Sequence, residues 1–405
     1  MLFRSGRHFL YAATPEDREQ SVIYVADIDA KDPARSRRKV AVANSQAQYA
    51  WPGYLVFMKE RLLMAQPFDA SKAETTGDAV PLAEQVDHPV GNTMGAFAVS
   101  QKGQVAYFSG VAGAAGVQLA LVERSGKATP LGEPGNLGSA ALSPDGTTVA
   151  FHAAKQTSVL EVWLRNLARG TESRFTFGPR TNGWPQWSPD GDMIAFSSDR
   201  EGRNNVYTKS TTEAGKEQLV DGDTRDKLVT DWTRDGRYLI EMTRNFDIWV
   251  LPLFGDRKPF VYLQTPFEET FAKVSPDGKW LAYSSNESGR REVYVQTFPM
   301  PGGKSQISVA GGDLPVWSRD GKELYFFGNS NLSNDSKMMA VDVKSGAKFE
   351  AGTPKALFPV TSPSNVMRGY SVTKDGRFII PMFVGGEAEA PPITMIMNWP
   401  ATLKR

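Results

Sequence analysis

The chain has 405 residues, of which 40% are apolar and 22% are charged. This is an ordinary composition for a globular protein, and the length suits one large all-β domain or two smaller domains. The chain has 46 basic and 45 acidic residues, so its net charge is only +1. This net charge gives no reason to expect a nucleic-acid partner. The absence of cysteine excludes disulfides, Cys-ligated zinc and thiol nucleophiles.

The N-terminal segment does not resemble a signal peptide. Arg4, Arg7 and His8 interrupt its apolar residues, whereas a signal peptide needs a continuous apolar stretch. No run of 18 apolar residues occurs in the sequence, so we expect no transmembrane helix and no membrane contact by this chain itself. The chain opens within a repeat, at "FRSGRHFLY", which suggests an N-terminal truncation.

Six Asp-Gly pairs recur at a near-regular interval, with successive glycines 42 to 55 residues apart. The anchors are Asp145-Gly146, Asp190-Gly191, Asp235-Gly236, Asp277-Gly278, Asp320-Gly321 and Asp375-Gly376. Weaker anchors precede them at Gly6, Gly53 and Gly103. A period in the low forties with four strands per repeat is typical of β-propeller blades.

The local chemistry of "SPDG" predicts a tight turn between two antiparallel strands. Proline presets φ at the first central position, aspartate can bond back to the backbone, and glycine takes the left-handed position that follows. The next strand is nearly all apolar in each repeat, as in "DMIAFSS" and "KWLAYSS". Such continuity predicts a strand covered on both faces, as between neighbouring blades.

A tryptophan precedes three of the turns by the same interval, at Trp187, Trp232 and Trp317. We expect these residues to pack between blades. The alternative is that they form a stacking platform for a ligand.

The stretch "WSPDGDMIAFSSDREGRNNVY" resembles the TolB-like, WD40-like β-propeller repeat, and the resemblance covers residues 136–383 well and the first 115 residues weakly. Segments such as "LPLFGDRKPFVYLQTPFEE" and "ITMIMNWPATLKR" further resemble the C-terminal propeller region of bacterial membrane serine/threonine kinases. This resemblance implies a sensory role in signal transduction and an extracytoplasmic, periplasmic location. No kinase motif is present in the sequence, so no kinase activity is implied for this chain.

Two blade arrangements fit the repeat. The favoured one has three N-terminal blades over 1–112, which belong to a truncated propeller, and a six-bladed TolB-like ring over 113–405. The ring would close by placing Val117–Gly132 beside "GRFIIPMF" and "ITMIMNW", since closure removes free strand edges. The glycine- and alanine-rich segment 109–116 would be the boundary. The alternative is a single ring of eight or nine blades.

Catalytic motifs are absent from the sequence. The three histidines, His8, His88 and His152, share no metal-ligand spacing and are interpreted as structural or solvated. No nucleophile elbow occurs, and the acidic segment Asp221–Lys227 is interpreted as a solvated loop rather than a calcium site. We therefore predict no enzymatic activity, no metal and no cofactor.

Binding is the more natural activity for such a fold. Residues just before each innermost strand should ring one mouth of the central channel; they are Arg180, Trp184, Lys227, Glu268, Asp313 and Arg368. Mixed charge and one aromatic side chain suit a protein, a peptide or a small polar ligand. The alternative is that these are solvated loop residues.

The sequence therefore predicts an all-β propeller of four-stranded antiparallel blades that binds a ligand or a protein without catalysis. Two other functions stay open. One is a propeller enzyme acting on glycans, as a hydrolase or lyase. The other is a periplasmic scaffold similar to the TolB propeller.

Overall fold

The computed structural model describes residues 8–13, 21–59, 62–84, 86, 95–108, 116–155, 159–212, 215–328, 336–346, 348–360, 369–384 and 393–401. The chain divides into two compact units. The first comprises Met1–Ala115 with Gly385–Arg405, and the second comprises Gly116–Val384.

The first unit begins with ten strands and one short helix. They are β1 (His8–Ala13), β2 (Ser21–Asp27), α1 (Pro33–Ser36), β3 (Arg38–Ala43), β4 (Gln48–Ala50), β5 (Tyr54–Lys59), β6 (Leu62–Asp69), β7 (Glu74–Thr75), β8 (Val80–Ala83), β9 (Phe97–Val99) and β10 (Val105–Phe108). Strands β1 to β3 form one antiparallel sheet, and β4 to β8 form a second.

Within the residues that the structure describes, the second unit contains twenty-four strands. They are β11 (Gly116–Val122), β12 (Ala128–Leu142), β13 (Thr148–Ala154), β14 (Glu161–Asn166), β15 (Glu172–Arg174), β16 (Asn182–Trp187), β17 (Met193–Ser198), β18 (Asn205–Ser210), β19 (Gln218–Asp221), β20 (Lys227–Trp232), β21 (Tyr238–Thr243), β22 (Ile248–Pro252), β23 (Phe260–Leu263), β24 (Glu269–Val274), β25 (Trp280–Ser285), β26 (Glu292–Thr297), β27 (Ser305–Gln306), β28 (Gly312–Trp317), β29 (Glu323–Gly328), β30 (Lys337–Ser345), β31 (Phe349–Ala351), β32 (Lys355–Pro359), β33 (Ser371–Val372) and β34 (Phe378–Val384).

The strands of the second unit form six blades. Blades two to four are the four-stranded sheets β16–β19, β20–β23 and β24–β27, and blade five is β28–β30 with β32. Blades one and six share the 15-residue strand β12. Its second half pairs with β13 in blade one, while its first half pairs with β11 in blade six. There β11 pairs with β34, and β34 pairs with β33.

Six apolar clusters join successive blades of this unit into a closed ring. One cluster lies between each neighbouring pair, including the last pair, where Leu119 of β11 and Ile379 of β34 pack with Phe151 of β13. The strands after the Asp-Gly turns supply much of this core; β25, for example, is buried along its whole length. The continuous apolar runs in the sequence therefore reflect coverage on both faces.

The Asp-Gly turns have the predicted geometry. Their six glycines have φ between 72° and 83°, the left-handed region that glycine enters without strain. Each glycine N–H donates to the carbonyl three residues earlier, as from Gly146 to Ser143 at 2.9 Å. Each aspartate also accepts the hydroxyl of that Ser or Thr.

Two further elements complete the first unit, β35 (Ile393–Ile396) and the 3₁₀ turn η1 (Trp399–Ala401). Strand β35 pairs with β10, so the predicted placement of "ITMIMNW" in the last blade of the ring, with Val117–Gly132, is wrong. The predicted pairing of "GRFIIPMF" (β34) with β11 is confirmed. Trp399 is buried, and its indole N–H donates to the Gly103 carbonyl at 2.7 Å.

The predicted fold class, a propeller of four-stranded antiparallel blades, is confirmed. The domain boundaries at 112 and 113 stay a prediction, because most of segment 109–116 lies outside the described residues. Gly385–Arg405 groups with the first unit rather than with the ring, because β35 completes the sheet of β9 and β10.

Candidate functional site

The ring of the second unit has two distinct ends. The axis is lined by the innermost strands, namely the second half of β12, β16, β20, β24, β28 and β33. We call the end where these strands begin the strand-start end, and the end that carries the Asp-Gly turns the turn end. Of the residues predicted from the sequence, Arg180, Trp184, Lys227, Glu268 and Asp313 lie at the strand-start end, and Arg368 lies outside the described residues.

Lys227 belongs to a buried ion network rather than to a solvated loop. Its side chain is fully buried, and its Nζ lies 2.9 Å from Asp221 Oδ1 and 2.7 Å from Asp223 Oδ1. The interpretation of Asp221–Lys227 as a solvated loop is therefore wrong for its two buried ends, Asp221 and Lys227, while Gly222, Asp223 and Thr224 between them are exposed. Burial opposes ionisation of Asp223, but hydrogen bonds from Arg225 and Lys227 outweigh it and hold the pKa of Asp223 at about 2.

Glu241 is the most perturbed member of this network. It is fully buried, and burial together with the nearby Asp221 carboxylate raises its pKa to about 8. Its Oε2 lies 3.3 Å from Arg225 Nη1, and the Arg225 guanidinium stacks 4.0 Å from the centre of the Trp249 ring. A protonated Glu241 leaves two carboxylates opposite two cations, so the network is electrically balanced.

The remaining predicted residues are also engaged in contacts. Glu268 forms an ion pair with Arg291, and Arg291 Nη1 lies 4.0 Å from Asp313 Oδ2. Burial raises the pKa of Asp313. The Arg180 carbonyl accepts the side-chain amide of Asn182. Ligand binding by these residues stays a prediction.

Trp184 lies in an irregularity that the sequence did not predict. It is one of four residues other than glycine that have a positive φ at matching places in the innermost strands: Ser139, Trp184, Phe271 and Leu314, with φ of 46°, 54°, 54° and 55°. The strand register shifts at each of them, which identifies β-bulges. All four line a small cavity of about 60 Å³ on the axis, so the bulges face the interior of the ring.

His152 is a packed core residue. Its side chain is buried, its Nδ1 accepts the Trp184 N–H at 3.3 Å, and its ring meets the Trp184 indole edge-on. The structural interpretation of His152 is thus confirmed. His8 lies in β1, and His88 lies outside the described residues.

The large cavity of the ring lies at the turn end. It has a volume of about 880 Å³, and its lining includes Arg124, Arg234, Arg319, Lys374, Trp187 and Trp232. Ligand pockets typically measure roughly 300–1,000 Å³. This cavity is therefore at the end opposite to the one predicted from the sequence.

Its rim is built from one repeated turn position, the residue before the aspartate of each Asp-Gly turn. Three blades have proline there and three have a basic residue. In blade order they are Pro144, Pro189, Arg234, Pro276, Arg319 and Lys374. All except Pro276 line the cavity, so prolines from blades one and two face basic residues from blades three, five and six.

The basic residues of the rim differ in how they are used. Arg319 donates from Nη1 to the Pro144 carbonyl at 2.7 Å and from Nη2 to the Ser143 carbonyl at 2.8 Å, which joins the turns of blades five and one. Arg124 forms a two-pronged ion pair with Glu323. Arg234 and Lys374 make no hydrogen bond or ion pair with any residue that the structure describes.

Asp231, which lines the cavity, forms a partly shielded ion pair with Lys273, which lines the small cavity on the axis. Asp231 Oδ1 lies 3.5 Å from Lys273 Nζ, and Asp231 Oδ2 accepts the Val274 N–H at 2.8 Å. Burial raises the pKa of Asp231. Lys273 also donates to Gln186 Oε1 at 2.9 Å, so these side chains hold one another across the axis.

The tryptophans before the turns serve mainly in packing. Trp187 donates its indole N–H to the Ala141 carbonyl of the preceding blade at 3.0 Å. Trp317 does the same to the Lys273 carbonyl at 2.9 Å. The packing prediction is confirmed for these two residues, while Trp187 and Trp232 also present part of their surface to the cavity.

The described residues contain neither a metal-binding cluster nor a membrane-spanning helix. In those ranges, no three His, Asp or Glu side chains cluster in a way that could hold a metal ion. Over the same ranges, no helix is long and apolar enough to cross a membrane.

Comparison with known proteins supports the fold. Residues 96–252 match the family model of the TolB beta propeller domain, PD40. A solved structure from Agrobacterium tumefaciens described as TolB has a TM-score of 0.53 and 18% sequence identity, and the match covers 67% of this chain and 99% of that one. The second unit is thus a TolB-like β-propeller.

Two curated relatives share part of the sequence. The uncharacterized peptidase YuxL of Bacillus subtilis is 25% identical over 212 residues, which are 48% of this chain and 30% of YuxL. An uncharacterized protein of Agrobacterium fabrum is 24% identical over 200 residues, which are 46% of this chain and 67% of that protein. The chain therefore spans less than a third of the length of YuxL.

Proposed function

We propose that this chain is a non-catalytic binding module whose turn-end cavity receives a segment of a partner protein. The observation that carries the proposal is the open cavity of about 880 Å³ on the ring axis. Its lining mixes paired charges with the partly exposed indoles of Trp187 and Trp232. Such a mixture can bind both the backbone and the side chains of a peptide.

We further propose that the module serves as the sensory or interaction region of a bacterial signalling protein. The similarity of its sequence to the propeller region of membrane serine/threonine kinases supports this role. The same similarity supports an extracytoplasmic location. In this role the ring converts ligand binding into a change in a partner, without chemistry of its own.

The test is a selection of peptides from a random library on the full chain, followed by binding to two size-matched variants. Ala141→Tyr fills the cavity that Ala141 lines, and we expect it to abolish binding of the selected peptides. Ala168→Tyr, at an exposed outer turn, is the control and should leave binding unchanged. Equal binding by both variants, or no selected peptide, would overturn the proposal.

A second arm tests catalysis, because one relative is named a peptidase and propeller enzymes acting on glycans stay an alternative. The full chain is incubated with fluorogenic peptides and with a panel of polysaccharides. We expect no turnover above that of the Ala141→Tyr variant. Turnover that this variant loses would replace the binding role by an enzymatic one.

A further inference from the structure

The basic residues of the rim are not required by the turns in which they lie. Pro144, Pro189 and Pro276 occupy the same position in turns that have the same glycine geometry. Proline is favoured at this turn position, and it stabilises the fold by restricting the unfolded chain. Arg234 and Lys374 lack the stabilisation that proline would give at this position. We therefore look for a role of these two side chains outside the turn.

Among the basic residues of the rim, Arg234 has guanidinium N–H groups that are available to a ligand. Its guanidinium has no hydrogen bond or ion pair with any residue in the described ranges, and its partial burial at the cavity wall lowers its pKa. It also stands close enough to Arg319 for its charge to lower the pKa of Arg319. Two neighbouring guanidinium groups repel each other, and an anion between them would relieve that repulsion.

The nearby carboxylates are already committed to other partners. Asp231 accepts the Val274 N–H and faces Lys273. Asp320 accepts the Ser318 hydroxyl at 2.8 Å and the Lys322 N–H at 3.1 Å, which holds its own turn together. The charges of both carboxylates act on Arg234, but neither forms a hydrogen bond or an ion pair with it among the described residues. The hydrogen-bond donors of Arg234 are therefore available to a ligand.

The charge balance of the cavity limits what that partner can be. Four basic side chains, Arg124, Arg234, Arg319 and Lys374, share the lining with four acidic ones, Asp231, Asp320, Glu323 and Asp375. A cavity without net positive charge disfavours a multiply charged phosphate or a nucleic acid. A single carboxylate matches one planar guanidinium through two parallel hydrogen bonds.

We infer that the turn-end cavity recognises a carboxylate on the bound peptide through Arg234, with Lys374 adding charge from the facing blade. This inference rests on the proposed peptide-binding function and names its selective contact. Trp187 and Trp232 line the same cavity, so they would receive an apolar side chain next to the carboxylate. The carboxylate can come from an acidic side chain or from a chain terminus.

The experiment uses fluorescently labelled dipeptide probes on the full chain. N-blocked Phe-Glu amide carries a side-chain carboxylate, N-blocked Gln-Phe acid carries a terminal one, and N-blocked Phe-Gln amide carries none. We expect one of the two acids to bind about tenfold or more tightly than the neutral probe, with an affinity that falls as salt rises. The tighter acid identifies the source of the carboxylate.

Variants of Arg234 then test whether its side chain makes the contact with the carboxylate of the probe. Arg234→Gln should remove the preference for the acid, and Arg234→Lys should restore only part of it, because an ammonium lacks the planar fork. Arg237→Gln is the matched control: it lies in the same hairpin and loses the same charge, but its guanidinium stacks on Phe254 outside the cavity.

Each outcome is decisive. If the acid and neutral probes bind equally, or if Arg237→Gln weakens the acid as much as Arg234→Gln does, the carboxylate inference is wrong. If none of the probes binds, it is wrong as well. The proposed function is judged separately, by whether library peptides bind the full chain and lose binding in Ala141→Tyr.

Discussion

The two ends of the ring use charge in opposite ways. At the strand-start end, Lys227 is fully buried and forms ion pairs with Asp221 and Asp223. At the turn end, Arg234 is exposed and has no partner among the residues that the structure describes. A buried pair stabilises the fold only while both partners remain, whereas an exposed lone cation contributes little to stability.

Stability and recognition are therefore expected to depend on different charged residues of the ring. The charges around Lys227 belong to the fold, whereas Arg234 and Lys374 have no hydrogen bond or ion pair within the described residues and can contact a ligand. Substitutions at Lys227 should change the free energy of unfolding, and substitutions at Arg234 should change binding. The following predictions test that division.

The largest effect is expected for Lys227→Met. The change leaves two carboxylates without their buried cation, which should lower the free energy of unfolding by about 3–5 kcal/mol. Urea unfolding followed by circular dichroism measures it. Lys258→Met is the control, since that lysine is 82% exposed; if both variants lose the same stability, the network is not structural.

The next effect is a pH dependence that comes from Glu241. Its pKa is raised to about 8 in the fold, whereas an unfolded chain releases this proton near its ordinary value of 4.5. The folded state therefore holds an extra proton between these values, and its stability falls as pH rises, by up to about 1.4 kcal/mol per pH unit. The contribution is fully present below the lower value and is lost as pH passes through the higher one.

Glu241→Gln isolates this contribution, because glutamine resembles the protonated acid. Relative to the unchanged chain, the variant should gain stability as the pH rises from about 5 to about 8, and the gain should level off above that value. Urea midpoints across that range measure it. Parallel pH profiles for the two proteins would mean that Glu241 ionises normally.

A moderate effect is expected for Arg319→Gln. Arg319 donates to two carbonyls of the blade-one turn at 2.7 and 2.8 Å, and loss of these bonds should cost about 1–3 kcal/mol. Thermal unfolding measures the change, and Arg237→Gln again serves as the control. An unchanged melting temperature would show that this strap does not hold the turns together.

The sequence predicted the features that depend on local chemistry. Proline, aspartate and glycine at successive positions determine the turn by themselves, so the six anchors located six hairpins. The apolar runs after them identified strands covered on both faces, and the pairing of β11 with β34 followed from the need to close the ring. The repeat thus contained most of the architecture of the second unit.

The sequence did not predict features that join distant parts of the chain. Lys227 is buried beside Asp221 and Glu241, which lie on two other strands; it forms an ion pair with Asp221 and interacts electrostatically with Glu241. No local sequence pattern predicts that these three side chains lie together. The positive φ of Trp184 and Phe271 has no signal either, since bulky residues rarely adopt it. The sequence shows that the residue before each anchor is either proline or a basic residue. The sequence does not show that these residues line a cavity.

The smallest effect has the opposite sign. Arg234→Pro gives the blade-three turn the residue that three other blades already have, and the Arg234 N–H makes no hydrogen bond that proline would remove among the described residues. We therefore expect a gain of about 0.4–1 kcal/mol in the free energy of unfolding. We also expect the variant to lose its binding of the acidic dipeptide probe. A chain that becomes more stable while it loses binding would show that the arginine serves recognition at the expense of the turn. A loss of stability would instead place Arg234 among the structural charges, with Lys227.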